Sequence, residues 1–98
     1  MYIGDNAELV MEKLLLAGGS LERDVLNCRI IGNDEIEEQF FMVLEEGELP
    51  GVSLDAIYKC TIETKNERIY CDGMVKERYK SEDGDIIVFQ IENGFYQL

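Results

Sequence analysis

The sequence predicts a mostly β fold, a small antiparallel barrel of about five to seven strands. Three observations predict it. Segments rich in β-branched and aromatic residues alternate apolar and polar positions, most clearly in the second half of the chain. Short polar stretches with turn-forming residues separate them, so successive strands are joined by tight connections. The chain has 98 residues, 46% of them apolar, and a single proline. That is enough for one modest core, so residues 1–98 read as one domain. Closure into a barrel would also remove the sheet edges that this proline-poor chain has little means to protect. A two-layer sheet sandwich is the alternative.

The first element is ambiguous. In "NAELVMEKLLLAGGS" the Ala, Leu, Met, Glu and Lys residues favour helix, Asn6 suits a helix start and Gly18 a helix end. Glu8 and Glu12 would repel at i,i+4, and "AGGS" equally suits a hairpin turn. Residues 7–17 therefore fit a short N-terminal helix and a strand about equally. The next two segments are clearer. "DVLNCRIIG" alternates Leu26, Cys28 and Ile30 with Asn27 and Arg29, a half-buried strand, and "EEQFFMVLEE" reads as its partner, with "GNDE" as the turn between them. "EEGELPGVS", holding Pro50, is a loop.

"CTIETKNERIYC" reads as a hairpin. A two-residue loop of Lys65 and Asn66 sets Cys60 opposite Cys71, Ile62 opposite Ile69 and Tyr58 opposite Gly73 on one face. The other face then pairs Glu63 with Arg68 and Lys59 with Asp72. In "SEDGD" a three-residue loop of Glu82, Asp83 and Gly84 pairs Ser81 with Asp85, Tyr79 with Ile87 and Val75 with Ile91. Val75, Tyr79, Ile87, Phe89 and Ile91 form the expected core face, with Glu77 as a misfit. Asn93-Gly94 signals a further turn that folds the last residues back.

Charge narrows function. Twenty-one acids against nine bases give a net charge of −12, which repels phosphate backbones and argues against nucleic-acid binding. The spread of acids serves solubility; its sharper reading is an acidic surface for a basic partner, or a nucleic-acid mimic. There is no histidine, so Ser-His and Cys-His nucleophile pairs and histidine metal sites are excluded. No nucleophile elbow or phosphate loop is present, so the chain is not expected to be an enzyme. "DEIEE" and "SEDGD" lack the spacing of calcium loops. No metal or other cofactor is implied. No membrane-spanning run and no export signal is visible, so a cytoplasmic location is expected.

Two constellations remain. Lys76, Arg78 and Lys80 alternate in "KERYK", a third of all the bases, and should share one strand face with Ile86 and Val88. That face reads as a cationic platform for a small anionic ligand, with Ser53 and Tyr79 as weaker candidates; its plain alternative is a solvated face. Cys60 and Cys71 are core thiols on the first reading and a reversible redox pair on the second.

The loop with Ser53 in "GVSLDA", followed by "IYKCTIET", "IYCDGMVKERY" and "GDIIVFQIENGFY", resembles PilZ-like domains in strand rhythm, from about residue 20 onward. The resemblance implies a six-stranded barrel and a bacterial regulatory module, a family in which many members bind cyclic di-GMP. The family's Arg-x-x-x-Arg motif is missing, since no two of Arg23, Arg29, Arg68 and Arg78 are four apart. Of its Asp/Asn-x-Ser-x-x-Gly loop only Ser53 is kept; Gly51 and Ala56 stand at the other two positions. Cyclic di-GMP is therefore not the expected ligand. The expectation is a binding or regulatory module with a protein partner. Oligomeric state is left open, and a homodimer is compatible.

Overall fold

The computed structural model describes residues 2–14 and 25–96. Six strands form a closed antiparallel barrel in the order β1-β2-β3-β6-β5-β4. They are β1 (Asn6–Leu14), β2 (Leu26–Asp34), β3 (Gln39–Glu46), β4 (Ala56–Glu63), β5 (Arg68–Ser81) and β6 (Gly84–Tyr96). A 3-10 turn, Leu49–Gly51, lies in the Pro50 loop between β3 and β4. The barrel reading holds and the sandwich does not.

The ambiguous first segment is a strand as far as Leu14, and residues 15–17 lie outside the described residues. Asn6–Leu14 pairs with β2 on one side and β4 on the other, closing the barrel. Helix propensity is a weak preference, and two ladders of backbone hydrogen bonds plus burial of Ala7, Leu9 and Met11 override it. The proposed "AGGS" turn lies outside the described residues.

Inward positions follow the period of two. Leu26, Cys28 and Ile30 of β2 are buried, as are Phe40 and Met42 of β3, and Tyr58, Cys60 and Ile62 of β4. They meet Ile69, Cys71, Val75, Ile87 and Phe89 of β5 and β6 in one core cluster. Val52, from the Pro50 loop, joins that cluster fully buried. Val43, Ile86 and Val88 are also buried but lie outside the cluster. Their pairing positions alternate with Met42, Ile87 and Phe89, so they form a small apolar stripe on the outer face of β3 and β6.

The β4–β5 hairpin has the register expected from its residues. Cys60 faces Cys71, Ile62 faces Ile69, Tyr58 faces Gly73, Lys59 faces Asp72 and Glu63 faces Arg68. Thr64 N donates to Glu67 O at 3.0 Å, and Glu67 N donates back to Thr64 Oγ1 at 3.1 Å, so Lys65 and Asn66 are the turn. The threonine hydroxyl supplies local turn chemistry that the Lys-Asn pair lacks. Glu63 and Arg68 form an ion pair at 3.0 Å.

Three expected turns or registers need correction. The β5–β6 loop has two residues, not three: Ser81 pairs with Gly84, Lys80 with Asp85 and Tyr79 with Ile86. Gly84 is in the left-handed region, with φ 119°, as the sequence suggests, but it opens the strand instead of ending the loop. The ladder then shifts between Val75 and Glu77, so Val75 meets Phe89 instead of Ile91. Tyr79 falls off the core face and is 46% exposed, while Val75, Ile87 and Phe89 keep their places. Ile91 is only partly buried at the edge of the core.

The Asn93-Gly94 turn does not form. β6 runs on to Tyr96 because the long β5 continues beside it, pairing Asp72 with Asn93 and Tyr70 with Tyr96. A paired ladder outweighs a local turn preference. Likewise the β2–β3 turn sits later than "GNDE": β2 extends through Asp34, and residues 35–38 make the turn. Asp34 Oδ1 accepts hydrogen bonds from the backbone N–H groups of Ile36 at 3.1 Å and Glu37 at 3.0 Å, which holds the turn there.

Candidate functional site

Of the expected cationic platform, Arg78 and Lys80 still share a strand face, but without Ile86 and Val88. The ladder shift beside Lys76 changes the phase of β5, so Arg78 lies opposite inward-facing Ile87 and Lys80 opposite Asp85. Ile86 and Val88 instead pair with Tyr79 and Glu77. Arg78 is also occupied. Its Nη1 donates to Leu49 O at 2.7 Å and to Val52 O at 2.6 Å, tying the Pro50 loop across this end of the barrel. The structure does bring Ser53 into the same neighbourhood. Ser53 N donates to Tyr58 Oη at 2.9 Å, and its Oγ accepts from Asp55 N at 3.1 Å. Both residues are spent on loop geometry. Lys76, Tyr79 and Lys80 are exposed on β5.

The three cysteines are free and fully buried. Burial, with a smaller effect of the Glu45 charge, pushes the Cys28 thiol up to about 12. A hydrogen bond with Cys71, then burial, raises the Cys60 thiol well above its ordinary value. Nothing in these surroundings favours a thiolate. On the outer face, Glu12 and Asp72 make a carboxylate pair. Burial and then the hydrogen bond with Asp72 raise the Glu12 carboxyl, while the Lys59 charge opposes that shift. Among the described residues no polar or charged side chain is buried, and no group of three or more metal-ligating side chains converges.

The opposite end of the barrel carries a concavity that the sequence did not suggest. It encloses about 330 Å³. Tyr2, Phe40 and Ile91 form its apolar floor, and Asp34, Glu35 and Glu38 stand around it. Tyr2 meets Phe40 edge to face, with ring centroids 6.3 Å apart. Tyr2 is carried there by a turn in which Asp5 N donates to Tyr2 O at 3.0 Å, docked to β2 by Gly4 N donating to Ile30 O at 2.7 Å.

The rim is fixed by backbone contacts more than by its carboxylates. Glu38 is in the left-handed region, with φ 55°. Its carbonyl accepts from Ile91 N at 3.0 Å, and the Glu37 carbonyl accepts from Gln90 Nε2 at 2.8 Å. Gln39 Nε2 donates to Gln90 Oε1 at 3.0 Å, which orients that amide. The β2–β3 turn is thereby strapped to β6. The field at this end is negative: partial burial first, then the charges of Glu67 and Asp5, push the Tyr2 phenol above its ordinary value.

Comparison of the chain with protein-family models, with curated proteins and with solved structures yields no match. The site is therefore read from its own chemistry. In the sequence the acid run at residues 34–38 reads as part of the acidic spread and as a failed metal loop, not as the rim of a cleft. The available signal was its position: an acid run that turns the chain between two strands and runs straight into Phe40 and Phe41. Tyr2 and Ile91 carried no such signal, because they reach the cleft from opposite ends of the chain.

Among the described residues no helix is long and apolar enough to cross a membrane.

Proposed function

We propose that the barrel is a non-enzymatic, cytoplasmic binding module that engages a protein partner through a basic surface. The observation that carries this reading is the cleft, whose apolar floor is ringed by acids on a chain of net charge −12. Such an arrangement attracts cations over a distance and gives them an apolar seat on contact. A small anionic ligand on β5 is the weaker reading, since Arg78 is engaged with the Leu49 and Val52 carbonyls.

A PilZ-like regulatory role, without cyclic di-GMP, is the second reading. The closed six-stranded barrel favours it, as does the meeting of Arg78 with the loop that holds Ser53. Nucleic-acid mimicry falls within the first reading as the case in which the partner's basic surface is itself a nucleic-acid site.

The test is capture of partners on the immobilised chain, with identification of what is retained. The reading expects proteins with a basic face whose retention falls steeply between low and physiological salt. Retained proteins that are no more basic than the background, or that ignore salt, would refute it. A titration with nucleotides that shifts the amides of Lys76, Tyr79 and Lys80 would instead favour the second reading.

A further inference from the structure

We propose that the cleft between Tyr2, Phe40 and Ile91 seats one arginine side chain from a basic segment of a protein partner. This rests on the reading of the barrel as a module for basic partners and names the group it grips.

Three features select that occupant. The first is size. About 330 Å³ lies at the small end of ligand sites, so the cleft suits one long side chain and not an extended ligand. The second is the floor. The half-buried Tyr2, packed on the buried Phe40 ring, presents aromatic surface and Ile91 an aliphatic one, which fits a methylene stem with a flat cation above it. The third is the rim. Asp34 has one carboxylate oxygen held by the Ile36 and Glu37 amides, while the Glu35 and Glu38 side chains are exposed around the mouth. Several carboxylates around one mouth match the planar, multi-donor guanidinium better than an ammonium point charge. The acids of the rim disfavour an anion there.

The mouth is also prearranged. Ile91 N and Gln90 Nε2 hold the carbonyls of residues 37 and 38, so the rim is not left to be ordered by the incoming group.

The experiment is an amide-shift titration of the isotope-labelled chain with three blocked glycine pentapeptides, whose central residue is arginine, lysine or citrulline. The arginine peptide should shift the amides of Asn33, Glu38, Gln39, Phe40 and Ile91 along one saturable curve. Citrulline keeps the shape and removes the charge, so it should bind about tenfold more weakly or worse. The double variant E35Q/E38Q should weaken the arginine peptide about fivefold or more while keeping the parent spectrum elsewhere. Equal shifts from arginine and citrulline, shifts scattered over all the acidic surface, or a lysine peptide binding as tightly would each overturn the assignment. If the double variant does not fold, the citrulline comparison decides alone. The two readings fail separately. Salt-sensitive capture of a basic partner that E35Q/E38Q leaves unchanged sinks the cleft and spares the module. A seated arginine peptide without any basic partner does the reverse.

Discussion

Cys60 lies directly opposite Cys71 across β4 and β5, and both side chains are fully buried in the barrel. The turn decides what kind of pair they make. Thr64 N donates to Glu67 O, and no register shift intervenes, so every second pair from Thr64–Glu67 upward is a hydrogen-bonded one. Cys60 and Cys71 occupy such a pair. In pairs of that kind the Cβ atoms ordinarily lie toward the wide end of about 4.5–5.5 Å, past the roughly 3.5–4.5 Å found in disulfides. The thiols should therefore stay reduced in the folded chain. Under native conditions an aromatic disulfide reagent should label fewer than one thiol per chain over an hour, and all three in denaturant. Rapid native labelling, or a Cys60–Cys71 disulfide after mild oxidation, would restore the redox reading.

Cys28 supplies a pH prediction. Its thiol is pushed from 9.0 to about 12 by burial and Glu45. A folded value above the unfolded one means that the neutral thiol contributes stability below about pH 9, and that this contribution is lost as pH rises toward about 12. The unfolding free energy of the parent chain, from urea titrations, should fall between pH 8.5 and 10.5 on the order of 1 kcal/mol more than that of the variant C28A. Parallel curves for the two proteins would show that Cys28 does not titrate differently in the two states.

Arg78 is expected to be a loop clasp. Replacing it with Met removes both hydrogen bonds that Nη1 donates, to Leu49 O and Val52 O, at about 1–3 kcal/mol. Amide exchange should accelerate most at Gly51, Val52 and Ser53, because those positions lose the tie to β5. The variant Y58F removes the acceptor for Ser53 N and should cost about 1 kcal/mol. If R78M left both stability and exchange unchanged, the guanidinium would be free for a ligand, and the anionic-site reading would regain its footing.

The β4–β5 hairpin was readable because two independent patterns agreed. Apolar partners matched on one face and opposite charges on the other, and a one-residue slip would have spoiled both at once. The β5–β6 pairing was not readable in the same way. Its turn admits two or three loop residues, and the shift between Val75 and Glu77 has no signature in "MVKERY". That single shift moved Glu77, Arg78, Tyr79 and Lys80 to the opposite faces together, so Arg78 and Lys80 still alternate but no longer share a face with Ile86 and Val88. The cleft was illegible for a topological reason. Tyr2, Phe40 and Ile91 meet because β1 pairs with β2 and Gly4 docks on Ile30, which sets residue 2 beside the start of β3, and β3 pairs with β6.

Gly73 marks the place where closure leaves least room. It sits opposite Tyr58 on β4 and Ile91 on β6. A Cβ there would collide with the carbonyl oxygen of Gln90, and would lie 2.7 Å from the Phe89 ring. The ring could turn aside, but the carbonyl is main chain within a paired strand and cannot move without disturbing the β5–β6 ladder. The variant G73A should therefore lose about 3 kcal/mol or more, although alanine is the smallest possible addition. Gly51 has nothing within 4 Å of its Cβ position, so G51A should change stability by less than about 0.5 kcal/mol. Urea unfolding of the two variants measures the difference directly. Because β6 also carries Gln90 and Ile91, the same substitution should shift the amides of Glu38 and Gln39 across the barrel end. A G73A protein as stable as the parent would mean that β5 and β6 do not approach as closely as the bulged register at Asp72 and Gly73 requires.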